Sequence, residues 1–109
     1  MKLPNVERAV VSIAKLRDYS LNPQHEAGKH KARVFKAALG LTAGDLKWLR
    51  EKILMAVQSE EAIARPASPF GIHFVDILIE REGRKALVRT AWIIEYGTDF
   101  PRLTSCYVL

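Results

Sequence analysis

The chain has 109 residues, 49% hydrophobic and 27% charged, and its 17 Lys and Arg outnumber 12 Asp and Glu for a net charge of +5. This length and apolar content suit one self-sufficient domain and exclude a disordered chain, while the cationic excess leans toward anionic partners. One cysteine, Cys106, excludes an intrachain disulfide and a four-thiolate metal site; with no apolar run behind Lys2 or of membrane-spanning length, the expectation is a cytoplasmic protein without a membrane partner.

Residues 8–11 (Arg-Ala-Val-Val) read as a short strand, and Ser12 as the cap of a short helix over 13–19 that Asn22-Pro23 breaks. A second helix is predicted over 28–39, where Ala32, Phe35 and Leu39 share one face and Lys29, Arg33 and Lys36 another, with Gly40 as its C-terminal cap. Thr42 opens a third helix, with Asp45 three residues on as a reciprocal capping partner and Leu41 and Leu46 placed to staple the entry. Leu46, Leu49, Ile53 and Ala56 or Val57 make its buried stripe to about residue 59, and Trp48 falls off that stripe near Lys52.

Residues 60–69, with Pro66, Ser68 and Pro69, read as a linking loop. Strands follow over 72–80, 85–95 and 103–108, the first two joined at Glu82-Gly83 and the last preceded by a loop holding Gly97, Asp99 and Pro101. The fold class is therefore α+β: two to three N-terminal helices packed on a three- to four-stranded antiparallel sheet, in one domain spanning 1–109, with helices over about 13–59 and the sheet over 70–109.

The segment 16–41 carries the densest chemistry. A turn rich in His, Asn, Pro and Gly runs into Lys29, His30, Lys31, Arg33 and Lys36 with no acid among them, a place suited to a phosphate. Histidine is the side chain best fitted to proton transfer near neutral pH, so His30 and His25 are candidates, whereas His73 alternates with Val75, Ile77 and Ile79 and reads as a satisfied sheet residue. The spacing of His25, Glu26 and His30 does not match a helical metal motif, so no metal and no cofactor are expected. Arg89 stands in an apolar strand, where it either pairs with a carboxylate or holds a phosphate; Thr90 faces the other way. Thr104 and Tyr107 offer hydroxyls and Arg102 a further cation, but alternation puts Thr104 and Tyr107 on opposite faces unless the strand is irregular.

The pattern Lys15-Leu16, Asp18-Tyr19, Leu21-Asn22-Pro23, His25, Gly28, Lys31-Ala32, Phe35 and Leu39-Gly40, with Ala91-Trp92-Ile93 and Pro101-Arg102-Leu103-Thr104-Ser105-Cys106-Tyr107, resembles a group of small bacterial domains. These occur as stand-alone proteins of unknown function and as C-terminal modules of polymorphic and contact-dependent toxins. Some are similar to the barnase–EndoU–colicin–RelE ribonuclease superfamily. The resemblance implies a cleft between the basic helix and the sheet, with metal-independent cleavage of RNA such as tRNA or rRNA. His30, Lys31, Arg89, Thr104 and Tyr107 would be catalytic, and His25, Lys29, Arg33, Lys36 and Arg102 would bind the nucleic acid. The alternative is a non-catalytic module whose basic face holds nucleic acid or an acidic neutralising protein. A third reading is a structural domain that assembles through a sheet edge; the sequence leaves the oligomeric state open.

Overall fold

A computed structural model describes residues 2–17, 29–60, 62–64 and 73–109. The predicted break at Asn22-Pro23, the candidate His25, Gly28 and the prolines of the linking loop lie outside the described residues. The architecture is α+β, with two long helices and an antiparallel sheet. A one-turn helix α1 (Ile13–Lys15) precedes α2 (Lys29–Leu39) and α3 (Leu46–Ala56). Three long strands, β2 (His73–Arg81), β3 (Arg84–Ile93) and β4 (Arg102–Val108), carry the sheet, and the three-residue β1 (Ala62–Ala64) pairs beside β2, giving the order β1-β2-β3-β4.

Three expectations are corrected. The two long helices occupy the middle of the chain, not its N-terminal end. Residues 8–11 form no strand: a 3-10 turn (Val6–Arg8) is followed by a single parallel bridge from Val10 to Arg102. The helix expected over 13–19 starts at Ile13 as α1 and keeps helical geometry through Arg17, and residues 18 and 19 lie outside the described residues. Within the expected loop, Ala62–Ala64 pairs with Val75, Phe74 and His73. A three-residue apolar run is too short to show alternation, and only its antiparallel partner makes it a strand.

The long elements follow their local chemistry. Gly40 adopts φ +67, which a residue without Cβ tolerates, and ends α2 with its N–H donating to Lys36 O at 2.9 Å. The Thr42 N–H donates to Asp45 Oδ2 at 2.9 Å, a capping box that opens a 3-10 turn (Ala43–Asp45) running into α3. Arg81 then ties the connection down. Its Nη1 donates to Gly40 O at 2.9 Å, its Nη2 to Asp45 Oδ1 at 3.0 Å, and its guanidinium stands 5.3 Å from the Trp48 ring centroid. The Lys52 ammonium lies 5.5 Å from the same ring, so Trp48 packs at the helix–sheet margin among cations.

The hairpin β2–β3 closes at Glu82 and Gly83, both at positive φ, the geometry whose twist matches two-residue hairpins. Its register places Val75 opposite Thr90, Asp76 opposite Arg89 and Leu78 opposite Leu87. Alternation then separates two faces. Val75, Ile77, Ile79, Val88, Thr90 and Trp92 are buried with Leu103 and Cys106 of β4 and meet Phe35 and Leu39 of α2 and Leu49 and Ile53 of α3. Each fully buried large apolar side chain contributes about 1.5–3 kcal/mol. Asp76, Leu78, Leu87, Arg89 and Tyr107 belong to the other face, and Leu78 and Leu87 are 58% and 45% exposed. His73 lies in β2 opposite Trp92, a sheet residue as expected, and its Nδ1 has no hydrogen-bond partner among the described residues. No helix among the described residues is long and apolar enough to cross a membrane.

Candidate functional site

The space between the basic helix and the inner face of the sheet is closed. Ala32, Phe35 and Leu39, the stripe that directs α2 onto the sheet, fill that space with apolar packing. The opening lies instead where α2 passes the edge strand β4. There His30, Lys31, Val34, Tyr107 and Val108 line a groove of about 440 Å³. Helical spacing explains the helix side: His30 and Val34 are one turn apart, Lys31 adjoins them, and all three fall on the flank next to the buried stripe. His30 is exposed and Val34 is 43% exposed.

Tyr107 joins the groove to the outer face of the sheet. The Lys31 Nζ lies 5.1 Å from its ring centroid. On its other side Tyr107 pairs in register with Arg89 across the β3–β4 ladder. Arg89 is itself clamped: its Nε donates to Asp76 Oδ1 at 2.8 Å and its Nη2 to Asp76 Oδ2 at 3.0 Å, and its guanidinium lies 5.1 Å from the Phe74 ring centroid. The side-chain hydrogen bond to Asp76 raises the Arg89 pKa well above its ordinary value against the opposing effect of burial, with the Tyr107 hydroxyl acting in the same direction as Asp76. The same hydrogen bond holds the Asp76 carboxyl below the usual carboxylate range, again against burial. The clamp uses Nε and Nη2, and Nη1 takes no part in it.

The Asp76 shift sets a pH dependence. The folded carboxyl titrates below its unfolded value of about 3.9. Its stabilising contribution is therefore fully present above that value and is lost as pH falls through the folded pKa. Urea midpoints of the wild type and of Asp76→Asn, measured from pH 7 down to pH 2, should converge as the acid limit is approached. A gap that stays constant over that range contradicts the assignment.

The remaining sequence candidates stand elsewhere. Arg33 and Lys36 are exposed on α2 outside the groove, and Lys29 is the first residue of that helix. Thr104 sits at an irregularity: Ala91 pairs with Ser105 and Trp92 with Leu103, so Thr104 is an extra residue, and its Oγ1 donates to Ala91 O at 3.1 Å. Arg102, whose Nη2 lies 2.8 Å from Glu95 Oε1, is five residues from Tyr107, roughly 17 Å along an extended strand. Thr90 faces the core, donating to Val75 O at 2.7 Å. Cys106 is buried. Among the described residues no group of three His, Cys, Asp or Glu side chains is placed to hold a metal ion.

Asp76, Val34 and Val108 were not singled out in the sequence. A signal for Asp76 was present: a two-residue turn at Glu82-Gly83 forces 76 opposite 89, which supplies the carboxylate that an in-strand arginine calls for.

A family model described as a domain of unknown function (DUF6883) matches residues 2–109. No curated protein and no solved structure matches the chain.

Proposed function

We propose, for a chain that belongs to the DUF6883 family of unknown function, that it is a small metal-independent ribonuclease-like domain whose site is centred on Tyr107. The supporting observation is that Tyr107 adjoins Lys31 of the basic helix on one side and Arg89 of the sheet on the other, with His30 in the same groove. These four side chains supply the groups that such cleavage needs. The His30 imidazole accepts the proton of a ribose 2′-hydroxyl, and the freed oxygen attacks the adjacent phosphorus. The bond from phosphorus to the 5′-oxygen breaks, and the Tyr107 hydroxyl protonates that leaving oxygen. The products are a 2′,3′-cyclic phosphate and a 5′-hydroxyl end. Lys31 and Arg89 offset the charge gathering on the non-bridging oxygens, and Asp76 holds the Arg89 guanidinium in orientation.

A second reading is that the groove binds RNA without cutting it. It draws on Thr104, whose hydroxyl is occupied by Ala91 O, and on the Arg89 donors held by Asp76, which leave fewer groups for a transition state. Incubation of the purified chain with total tRNA and rRNA in EDTA separates the two. The first reading expects fragments ending in 2′,3′-cyclic phosphate. Intact RNA at micromolar protein, with binding that weakens steeply as salt is raised, selects the second. Binding that is absent, or flat with salt, removes both.

A further inference from the structure

We infer that the α2–β4 groove is a nucleobase site, and that the substrate it takes is unpaired RNA rather than duplex. The inference rests on the RNA-directed reading above and adds which form of RNA enters. A site built for phosphate alone has no use for exposed aliphatic surface. Here Val34, 43% exposed, and Val108 line the same opening as His30, Lys31 and Tyr107. The volume of about 440 Å³ falls in the range of sites that enclose a small organic group, about 300–1,000 Å³. An apolar wall beside a cation and two aromatic rings suits a flat heteroaromatic base whose own phosphate lies outside.

Charge complementarity fits that occupant. The helix that forms one wall carries Lys29, His30, Lys31, Arg33 and Lys36 and no acid, in a chain of net charge +5. From the groove, the adjoining phosphate would meet Lys31, or Arg89 beyond Tyr107. A duplex presents its phosphates on the outside and keeps base faces stacked inside, so it cannot place a base against Val34. A single strand can splay one out. Val34 and Val108 carry no side-chain donors or acceptors, so entry should depend little on base identity.

The test uses the full chain and short fluorescent 2′-fluoro RNA, which lacks the hydroxyl nucleophile and so reports binding apart from cleavage. Single-stranded and self-complementary duplex forms are compared, with inorganic polyphosphate and polyglutamate as competitors. The single strand should bind about tenfold more tightly than the duplex, the scale of one stacked base. Val34→Glu should remove that preference. Met55→Glu, the same charge change at a 69% exposed site on α3, should keep it. Equal affinity for duplex and single strand, or a preference that survives Val34→Glu, overturns the nucleobase site while leaving ribonuclease activity on natural RNA to stand. Stronger competition by polyglutamate than by the single strand assigns the groove to an acidic protein and overturns the inference. Failure to bind or cut any RNA removes the proposed function, and this inference with it.

Discussion

Trp92→Ala is expected to lower the unfolding free energy by about 3–5 kcal/mol. The indole is fully buried in the second strand of the central hairpin. Removing it opens a cavity in the core cluster that also holds Phe35, Val75 and Leu103. It also breaks a buried polar relay: Trp92 Nε1 donates to Thr90 Oγ1 at 2.7 Å, and Thr90 Oγ1 donates to Val75 O at 2.7 Å. Thr90 is the one fully buried polar residue among those described. A domain of this size is held by only about 5–15 kcal/mol, so Trp92→Ala sits near the limit of folding. Thr90→Val is the milder companion. It keeps the shape but leaves the indole N–H and the Val75 carbonyl without that hydroxyl, at a cost of about 1–3 kcal/mol. Urea unfolding followed by far-ultraviolet circular dichroism reads both through the midpoint at constant slope. A loss below 1 kcal/mol for Trp92→Ala would mean that this face of the sheet is not the core.

Much of that core could be read from the residues alone, and the reasons are specific. Ala32, Phe35 and Leu39 repeat at helical spacing, and Gly40 and the Thr42–Asp45 pair punctuate the two helices, so local chemistry and burial agree there. The central hairpin follows from a two-residue turn between alternating apolar runs. What escaped reading depended on partners distant in sequence. Val10 and Val11 look like strand residues, yet only Val10 makes a bridge, because the chain arrives beside β4 at Arg102 and leaves at once into α1. The extra residue at Thr104 is invisible until β4 is laid against Ala91 and Trp92. The cations of α2 were evident as a charge run, but a charge run does not say which of its members face an opening. Spatial packing selects His30 and Lys31 and leaves Arg33 and Lys36 outside. The groove between helix and sheet is confined to the β4 edge for the reason the helix prediction succeeded: an apolar stripe strong enough to define α2 also closes α2 onto the sheet.

That closure makes the edge at Tyr107 decisive, and the variants there carry the second large expected effect. On natural RNA in EDTA, His30→Ala and Tyr107→Phe are each expected to slow cleavage by about 100-fold, the lower range for loss of a positioned proton donor or acceptor. Tyr107→Phe keeps the ring beneath Lys31 and removes only the hydroxyl, so its effect should fall on kcat and leave KM nearly unchanged. His30 is exposed, so His30→Ala should leave the urea midpoint where it was, and should also abolish the dependence of kcat on pH through neutrality if the imidazole moves the proton. The double variant should be little slower than either single one, because an acid and a base serving one bond cleavage do not act independently. Lys31→Ala should lower kcat and also raise KM and flatten the salt dependence, as expected for a cation that holds the phosphate and offsets its growing charge without transferring a proton. These patterns separate chemistry from structure. If Tyr107→Phe cleaves like the wild type while both proteins unfold at the same urea concentration, the phenol is a packing partner for Lys31 and Arg89, and the groove belongs to binding alone.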